Sequence, residues 1–83
     1  MKQVTYKPEA RKALRRMARD EAERIMQKVD QYAADPTSLA NNVKALKGRE
    51  GIRLRVGDWR VIMDDAGDVL DILKIAPRGG VYD

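Results

Sequence analysis

The hydrophobic period of this chain changes at Gly51, and that change constrains the fold more than any other feature. From about residue 8 to 34, apolar residues recur every three or four positions, which is the period of an amphipathic helix. After Gly51, apolar and polar residues alternate in "IRLRV" (52–56), which is the period of a strand with one buried face. The chain is therefore predicted to build helices first and most of its sheet afterwards.

The helical part is predicted as two helices, at about 8–18 and 21–34, joined by a very tight connection. The stretch "DEAE" (20–23) has the form of a capping box, with Asp20 as the N-cap and Glu23 reaching back to it. One long helix is the alternative. Upstream, "QVTYK" (3–7) alternates and ends at Pro8, which suits the first helical turn, so a short strand is predicted directly before the helices.

The later part is predicted as three strands, at 52–56, 59–63 and 69–76. "GD" (57–58) is a two-residue hairpin signal, and "DDAGD" (64–68) is typical of a second turn. Residues 35–42 contain proline, serine, threonine, aspartate and asparagine and are predicted to form a loop. Val43 and Leu46 are then predicted to form a short anchoring turn closed by Gly48.

Together these elements predict one α+β domain over residues 1–83, in the order β-α-α-β-β-β. The helix hairpin packs on one face of a small, mainly antiparallel sheet, and the N-terminal strand joins at an edge. A chain of this length buries only roughly 60–65% of its unfolded surface, so it holds one modest core.

The composition excludes several kinds of chemistry. The chain has no cysteine and no histidine, so a disulfide framework, a thiolate or histidine metal site, and a Ser–His–Asp triad are excluded. No apolar run approaches the ~20 residues of a membrane span, and the N-terminal stretch "MKQVTYKPEARK" lacks the apolar centre of a signal peptide, so a cytoplasmic protein is expected. The net charge of +4 favours polyanionic partners.

The arginines of the predicted hairpin are the strongest candidates for chemistry. A turn at 57–58 places Arg55 opposite Arg60 and Arg53 opposite Ile62. Like charges directly opposite each other are destabilising, so the placement of Arg55 opposite Arg60 needs an explanation. A guanidinium cluster binds phosphate through bidentate hydrogen bonds and stays charged at any relevant pH. The alternative is a solvated sheet face whose arginines are neutralised by nearby carboxylates, namely Asp58, Asp64, Asp71 and Asp83.

Two other features have ordinary structural interpretations. Asp64, Asp65 and Asp68 superficially suggest a metal site, but turn chemistry accounts for all three, and Gly67 supplies a positive φ. Trp59 is predicted to pack in the core or at its edge, with stacking on a nucleobase as the alternative.

The stretch "VKALKGREGIRLRVGDWRVIMDDAGDVLDILKIAPRGGVYD" (43–83) resembles the second half of the RelE/ParE superfamily of bacterial toxins, from type II toxin–antitoxin pairs. Four features carry the resemblance, and the preceding helix hairpin also fits. They are a loop ending in L-x-G (Leu46–Gly48), a strand with alternating basic residues (Arg53, Arg55), the hairpin G-D-W-R-V (57–61), and a last strand leading to Arg78 and Tyr82.

The resemblance implies one of two activities. RelE-like members cleave mRNA in the ribosomal A site, and ParE-like members poison DNA gyrase. The basic strand, the hairpin arginine and the C-terminal Arg78–Tyr82 pair belong to the RelE-like branch, so ribosome-dependent mRNA cleavage is expected, with an antitoxin, the ribosome and mRNA as partners and no cofactor. A ParE-like gyrase toxin and a non-catalytic nucleic-acid-binding domain are the alternatives.

The expected reaction is metal-independent attack of a 2′-OH on the adjacent phosphate, giving a 2′,3′-cyclic phosphate. Arg60 is expected at the scissile phosphate with Arg53 beside it, Arg78 at the leaving group, and Tyr82 in base stacking or proton transfer. Further RNA contacts are expected from Lys47, Arg49, Arg55 and Trp59.

The general base is left open by the sequence. RelE carries two alternating lysines on its basic strand, and these positions fall on Gly51 and Arg53 here. Arginine hardly ever loses its proton, so Arg53 is a poor general base.

Overall fold

The computed structural model describes residues 2–46 and 51–77. The elements follow in the order β1 (Gln3–Tyr6), α1 (Pro8–Arg16), α2 (Arg19–Ala34), a 3₁₀ helix (Pro36–Asn42), β2 (Val43–Ala45), β3 (Ile52–Val56), β4 (Trp59–Asp65) and β5 (Val69–Pro77). Within the described ranges, no helix is both long enough and apolar enough to span a membrane.

The five strands form one sheet in the order β1-β5-β4-β3-β2. β1 lies parallel to β5 at one edge, and the other neighbours are antiparallel. Both helices contribute to the core on one face of the sheet, where buried residues of α1 and α2 meet those of β3, β4 and β5. The predicted α+β fold, with a helix hairpin on a mainly antiparallel sheet, is confirmed.

The two predicted helices are confirmed, but the predicted capping box is wrong. α2 begins at Arg19, its N-cap is Ala18, and the cap makes no side-chain hydrogen bond. Asp20 therefore lies in the first turn, where a carboxylate favours the positive end of the helix dipole. Glu23 lies 3.6 Å from Arg19, one turn back, instead of reaching the cap.

The prediction for residues 35–45 is wrong in two places. The loop contains a 3₁₀ helix that buries Leu39, and the turn predicted at Val43 is a short strand. β2 has three residues and pairs with β3 through Val43 opposite Leu54. Three residues are too few to show strand alternation in a sequence, so β2 can be identified only from its pairing with β3. Leu46 is buried, as an anchor would be, and Gly48 lies outside the described residues.

The predicted hairpin register between β3 and β4 is confirmed. Val56 pairs with Trp59 and Arg55 with Arg60 around the turn. Gly57 has a φ of 58°, as the first central residue of a type II′ turn requires. β4 continues two residues beyond its predicted end and β5 one residue beyond, so Asp64 and Asp65 belong to a strand.

The turn between β4 and β5 is held by Asp65. Its Oδ1 accepts a hydrogen bond from the Gly67 amide at 3.0 Å and lies 3.1 Å from Lys2 Nζ, and its Oδ2 accepts one from the Tyr32 hydroxyl at 3.2 Å. Partial burial acts to raise the pKa of Asp65, but these hydrogen bonds and the charge of Lys2 outweigh it and lower that pKa. Asp65 thus joins α2 and the N-terminus to the turn.

Candidate functional site

The face of the sheet opposite the helices carries two rows of side chains that run across the strands. Strand alternation and the observed register define both rows. The first row is Lys44, Arg53, Ile62 and Lys74, and the second is Arg55, Arg60 and Ala76. We call this surface the open face.

The cationic members of the rows on β2, β3 and β4 line one depression of about 330 Å³. Four cationic side chains contribute to it, and the 3₁₀ helix and the hairpin turn supply the remaining wall. The lining residues are Asn41, Asn42, Lys44, Arg53, Arg55, Gly57, Trp59 and Arg60. We call this depression the basic cleft.

The arginines of the basic cleft differ in burial. Arg55 is exposed, whereas Arg53 and Arg60 are half-buried. Nη1 of Arg53 is shielded from solvent, and the neighbouring Ile62 is 2% exposed although it faces away from the helices. Arg53 is therefore packed into the surface. A guanidinium restrained in this way loses less conformational entropy when it binds an anion than a freely moving one.

Asp64 and Asp71, two of the carboxylates that the solvated-face interpretation expects to neutralise the arginines, lie away from the cleft. Asp64 and Asp71 pair with each other at the far end of the open face, and Asp64 lies four residues along β4 from Arg60. That separation is about 13 Å at the rise of a strand, which exceeds the screening length in physiological salt. Within residues 2–46 and 51–77, no ion pair involves Arg55 or Asp58. Asp83 lies outside the described residues.

Trp59 packs against the hydrophobic core, as predicted, and contributes to two surfaces. It lines the basic cleft, and it also lines an apolar groove of about 390 Å³ together with Met17, Ile75 and Pro77. Trp59 pairs with the buried Val56, so strand alternation directs its indole towards the helix side and away from the arginines of the open face.

The structure brings together Arg53, Arg55, Arg60 and Trp59 of the predicted site. The other predicted residues, Lys47, Arg49, Arg78 and Tyr82, lie outside the described residues. Arg78 follows directly in the chain after Pro77, which is paired with Trp59.

Several functional candidates were missed by sequence reasoning. Lys44 enters the cleft because β2 pairs with β3, with Lys44 directly opposite Arg53. Arg24 and Lys28 of α2 line a second depression of about 200 Å³ beside the cleft. Their i, i+4 spacing predicts a common helix face, but nothing in the sequence indicates that this face meets the hairpin turn.

The fold and the basic cleft define a small α+β protein suited to a polyanionic ligand, and comparison identifies its family. Residues 4–82 match the family model described as the ParE toxin of the type II toxin–antitoxin system parDE. The chain belongs to this family, and the resemblance to the RelE/ParE superfamily is confirmed. The protein is thus a toxin of a type II toxin–antitoxin system. No curated protein matches the chain.

Three solved structures similar to this chain are RelE–RelB or RelBE2 toxin–antitoxin complexes. The chain is similar to one from Pyrococcus horikoshii OT3, with 28% identity, a TM-score of 0.77, and coverage of 96% of this chain and 98% of that chain. The chain is also similar to RelB–RelE from Methanococcus jannaschii, with 21% identity, a TM-score of 0.74, and coverage of 96% of each chain. For RelBE2 from Mycobacterium tuberculosis the identity is 23%, the TM-score is 0.61, and the coverage is 93% of this chain and 98% of that chain. The last two show likeness of fold alone.

Proposed function

We propose that this toxin is a ribosome-dependent endoribonuclease that cleaves mRNA in the A site. The observation that carries the proposal is the basic cleft, in which Arg53, Arg55, Arg60 and Lys44 line one concave surface. Cleavage of a phosphodiester needs cations at the phosphate, because charge develops on the phosphoryl oxygens in the transition state.

The proposed reaction uses the substrate's own 2′-OH as the nucleophile. It attacks the adjacent phosphorus, the bond to the 5′-oxygen breaks, and a 2′,3′-cyclic phosphate and a 5′-OH result. Arg60 contacts the scissile phosphate because it lies between Arg55 and Ala76 in the second row, at the wall of the cleft. Arg53 and Arg55 stabilise the charge from the neighbouring strand. Alignment by the ribosome supplies the in-line geometry.

The remaining roles rest on the family resemblance. Arg78 neutralises charge on the leaving group, and Tyr82 stacks on a base or transfers a proton. Lys47 and Arg49 contact the RNA, as does Trp59 from the cleft wall.

The test is a primer-extension map of mRNA during induced expression, for the wild type and Arg60→Ala. We expect cuts within translated codons that disappear in the variant. Arg11→Ala, which removes an exposed arginine from α1, is the matched control and keeps the cuts. Growth arrest with intact message, or cuts that persist in Arg60→Ala, contradicts the proposal.

A gyrase-inhibiting toxin is the second candidate, and the match to the ParE family model favours it. It predicts that the purified toxin blocks DNA supercoiling by gyrase and leaves ribosome-bound mRNA intact. The two assays, run on one preparation, separate the candidates.

We also propose that the toxin binds a cognate antitoxin. The similar solved structures are toxin–antitoxin complexes, and the net charge of +4 suits an acidic partner. The antitoxin is expected to be partly disordered when free and to fold across the open face. Co-purification that is lost in high salt supports this.

A further inference from the structure

The basic cleft does not end at the hairpin turn. The second depression, of about 200 Å³, is lined by residues of α2, the 3₁₀ helix and β3, and it shares Asn42, Arg55 and Gly57 with the cleft. Arg55 thus faces both depressions, and the two form one continuous surface. We call the second depression the α2 subsite.

The α2 subsite is assembled by a close approach at Gly57. A Cβ atom on this residue would lie 2.9 Å from Nη1 of Arg24, so the guanidinium rests against the bare backbone of the turn. Lys28 lies one helical turn further along α2 and lines the same depression. The turn therefore brings cations from the helix layer next to those of the sheet.

The charge of the α2 subsite is positive. Among residues 2–46 and 51–77, no carboxylate lies within ion-pair distance of Arg24, Lys28 or Arg55. Nζ of Lys28 donates a hydrogen bond to Oε1 of the neutral Gln31, at 3.5 Å. Two cations from α2 and one from β3 thus surround one small concavity, which raises the local potential for an anion.

We propose that the α2 subsite binds the phosphate backbone of the RNA strand that continues out of the basic cleft. The identity of the strand rests on the proposed function, whereas the anion binding follows from the subsite itself. A positively charged groove that tracks the backbone is how proteins hold single-stranded nucleic acid. Arg24 and Lys28 hold further phosphates and fix the direction in which the strand leaves the cleft.

The geometry favours RNA over an acidic protein segment. A protein partner gains most of its affinity from apolar or aromatic anchors in pockets. The apolar residues of the subsite, Leu39 and Val56, are only 5% and 3% exposed and offer little such surface. Cations and the amide of Asn42 make up the rest of its lining, together with Gly57.

The test measures equilibrium binding of fluorescent single-stranded RNA to the full-length toxin over a range of salt concentrations. The RNA carries 2′-O-methyl groups, which prevent cleavage, and has lengths of about 4 and about 12 nucleotides, within the span of single-strand sites. The variant is Arg24→Gln/Lys28→Gln. The matched control is Arg11→Gln/Arg15→Gln, which removes two exposed charges at the same spacing on α1.

We expect the α2 variant to bind the longer RNA more weakly, with the slope of log affinity against log salt reduced by about 1.4, because each phosphate contact contributes about 0.7. Binding of the short RNA, which fills the cleft alone, stays unchanged. The control variant keeps the wild-type slope. If the α2 variant melts below the wild type, Lys28→Gln alone is measured, with an expected reduction of about 0.7.

Three results overturn the proposal. The first is an equal loss in the control, which means that only net charge matters. The second is an equal loss for both RNA lengths, which means that the subsite does not continue the cleft. The third is unchanged RNA binding with weaker antitoxin binding, which assigns the surface to a protein. A length-dependent loss in a toxin that cuts no mRNA supports the subsite and rejects the proposed function.

Discussion

The two ends of the open face place like charges directly opposite each other on neighbouring strands. Arg55 pairs with Arg60 next to the hairpin turn, and Asp64 pairs with Asp71 at the other end. Either arrangement destabilises a sheet by itself. The surroundings of the two pairs differ: those of the acidic pair make it tolerable, whereas those of the arginine pair suit the binding of a ligand.

The acidic pair is relieved by its surroundings. Asp64 is exposed at the end of β4, and the carboxylate of Asp71 accepts a hydrogen bond from the Thr5 hydroxyl on the edge strand. At the arginine pair, Arg53 and Lys44 add further cations to the same depression. Charge of one sign gathered in a cleft raises the local concentration of oppositely charged ligands, which suits the binding of an anion.

The largest effect is expected from Arg60→Ala. Loss of a group that stabilises charge in the transition state costs about 10²–10³ in rate. Single-turnover cleavage on purified ribosomes measures this, with Asp64→Ala at the acidic end as the control that keeps the wild-type rate. A similar loss of cleavage rate in both variants shows that the arginine end and the aspartate end of the open face do not differ in function.

Arg55→Glu is expected to separate stability from function. It converts the repulsive pair with Arg60 into an attractive one, which should raise the free energy of unfolding by roughly 0.2–1 kcal/mol. It also places a carboxylate in the basic cleft and should weaken RNA binding by about 1–3 kcal/mol. Urea denaturation and RNA titration test the two effects. If the variant is less stable than the wild type, Arg55 makes stabilising contacts within the protein that outweigh its repulsion from Arg60.

Asp65→Asn tests the carboxylate that faces the helices beside the acidic pair. We expect the melting temperature to fall by roughly 4–8 °C at neutral pH, as a loss of about 1 kcal/mol implies. The lowered pKa means that Asp65 stabilises the fold fully above its ordinary pKa of 3.8, and that this contribution is lost as the pH falls through its folded pKa. The stability difference between variant and wild type should shrink in that acid range. A difference that is constant with pH assigns the effect to packing.

Asp64→Asn is expected to have the smallest effect. Removing one of two opposed charges at a solvated position should stabilise the sheet by a few tenths of a kcal/mol and leave cleavage unchanged. Denaturant titration at low and high salt measures it, and the gain should shrink in high salt. Destabilisation instead indicates that the Asp64 carboxylate makes a stabilising contact within the fold.

Much of the site could be predicted because it depends on local pairing. A two-residue turn at 57–58 sets the register of β3 and β4, so the sequence alone places Arg55 opposite Arg60 and Arg53 opposite Ile62. The family resemblance depends on the same short-range features. The predicted Asp20 cap failed because the exact first residue of a helix after a tight connection depends on how the two helices pack.

The sequence by itself determined the order of helices and strands apart from β2, the hairpin register and the toxin superfamily, because these depend on periodicity, turn chemistry and motif order within short stretches. The tertiary structure alone decided that β2 exists, that Lys44 stands beside Arg53, and that Arg24 rests against Gly57. These contacts join residues distant in sequence, so they follow from packing of the layers around one core and leave no local pattern.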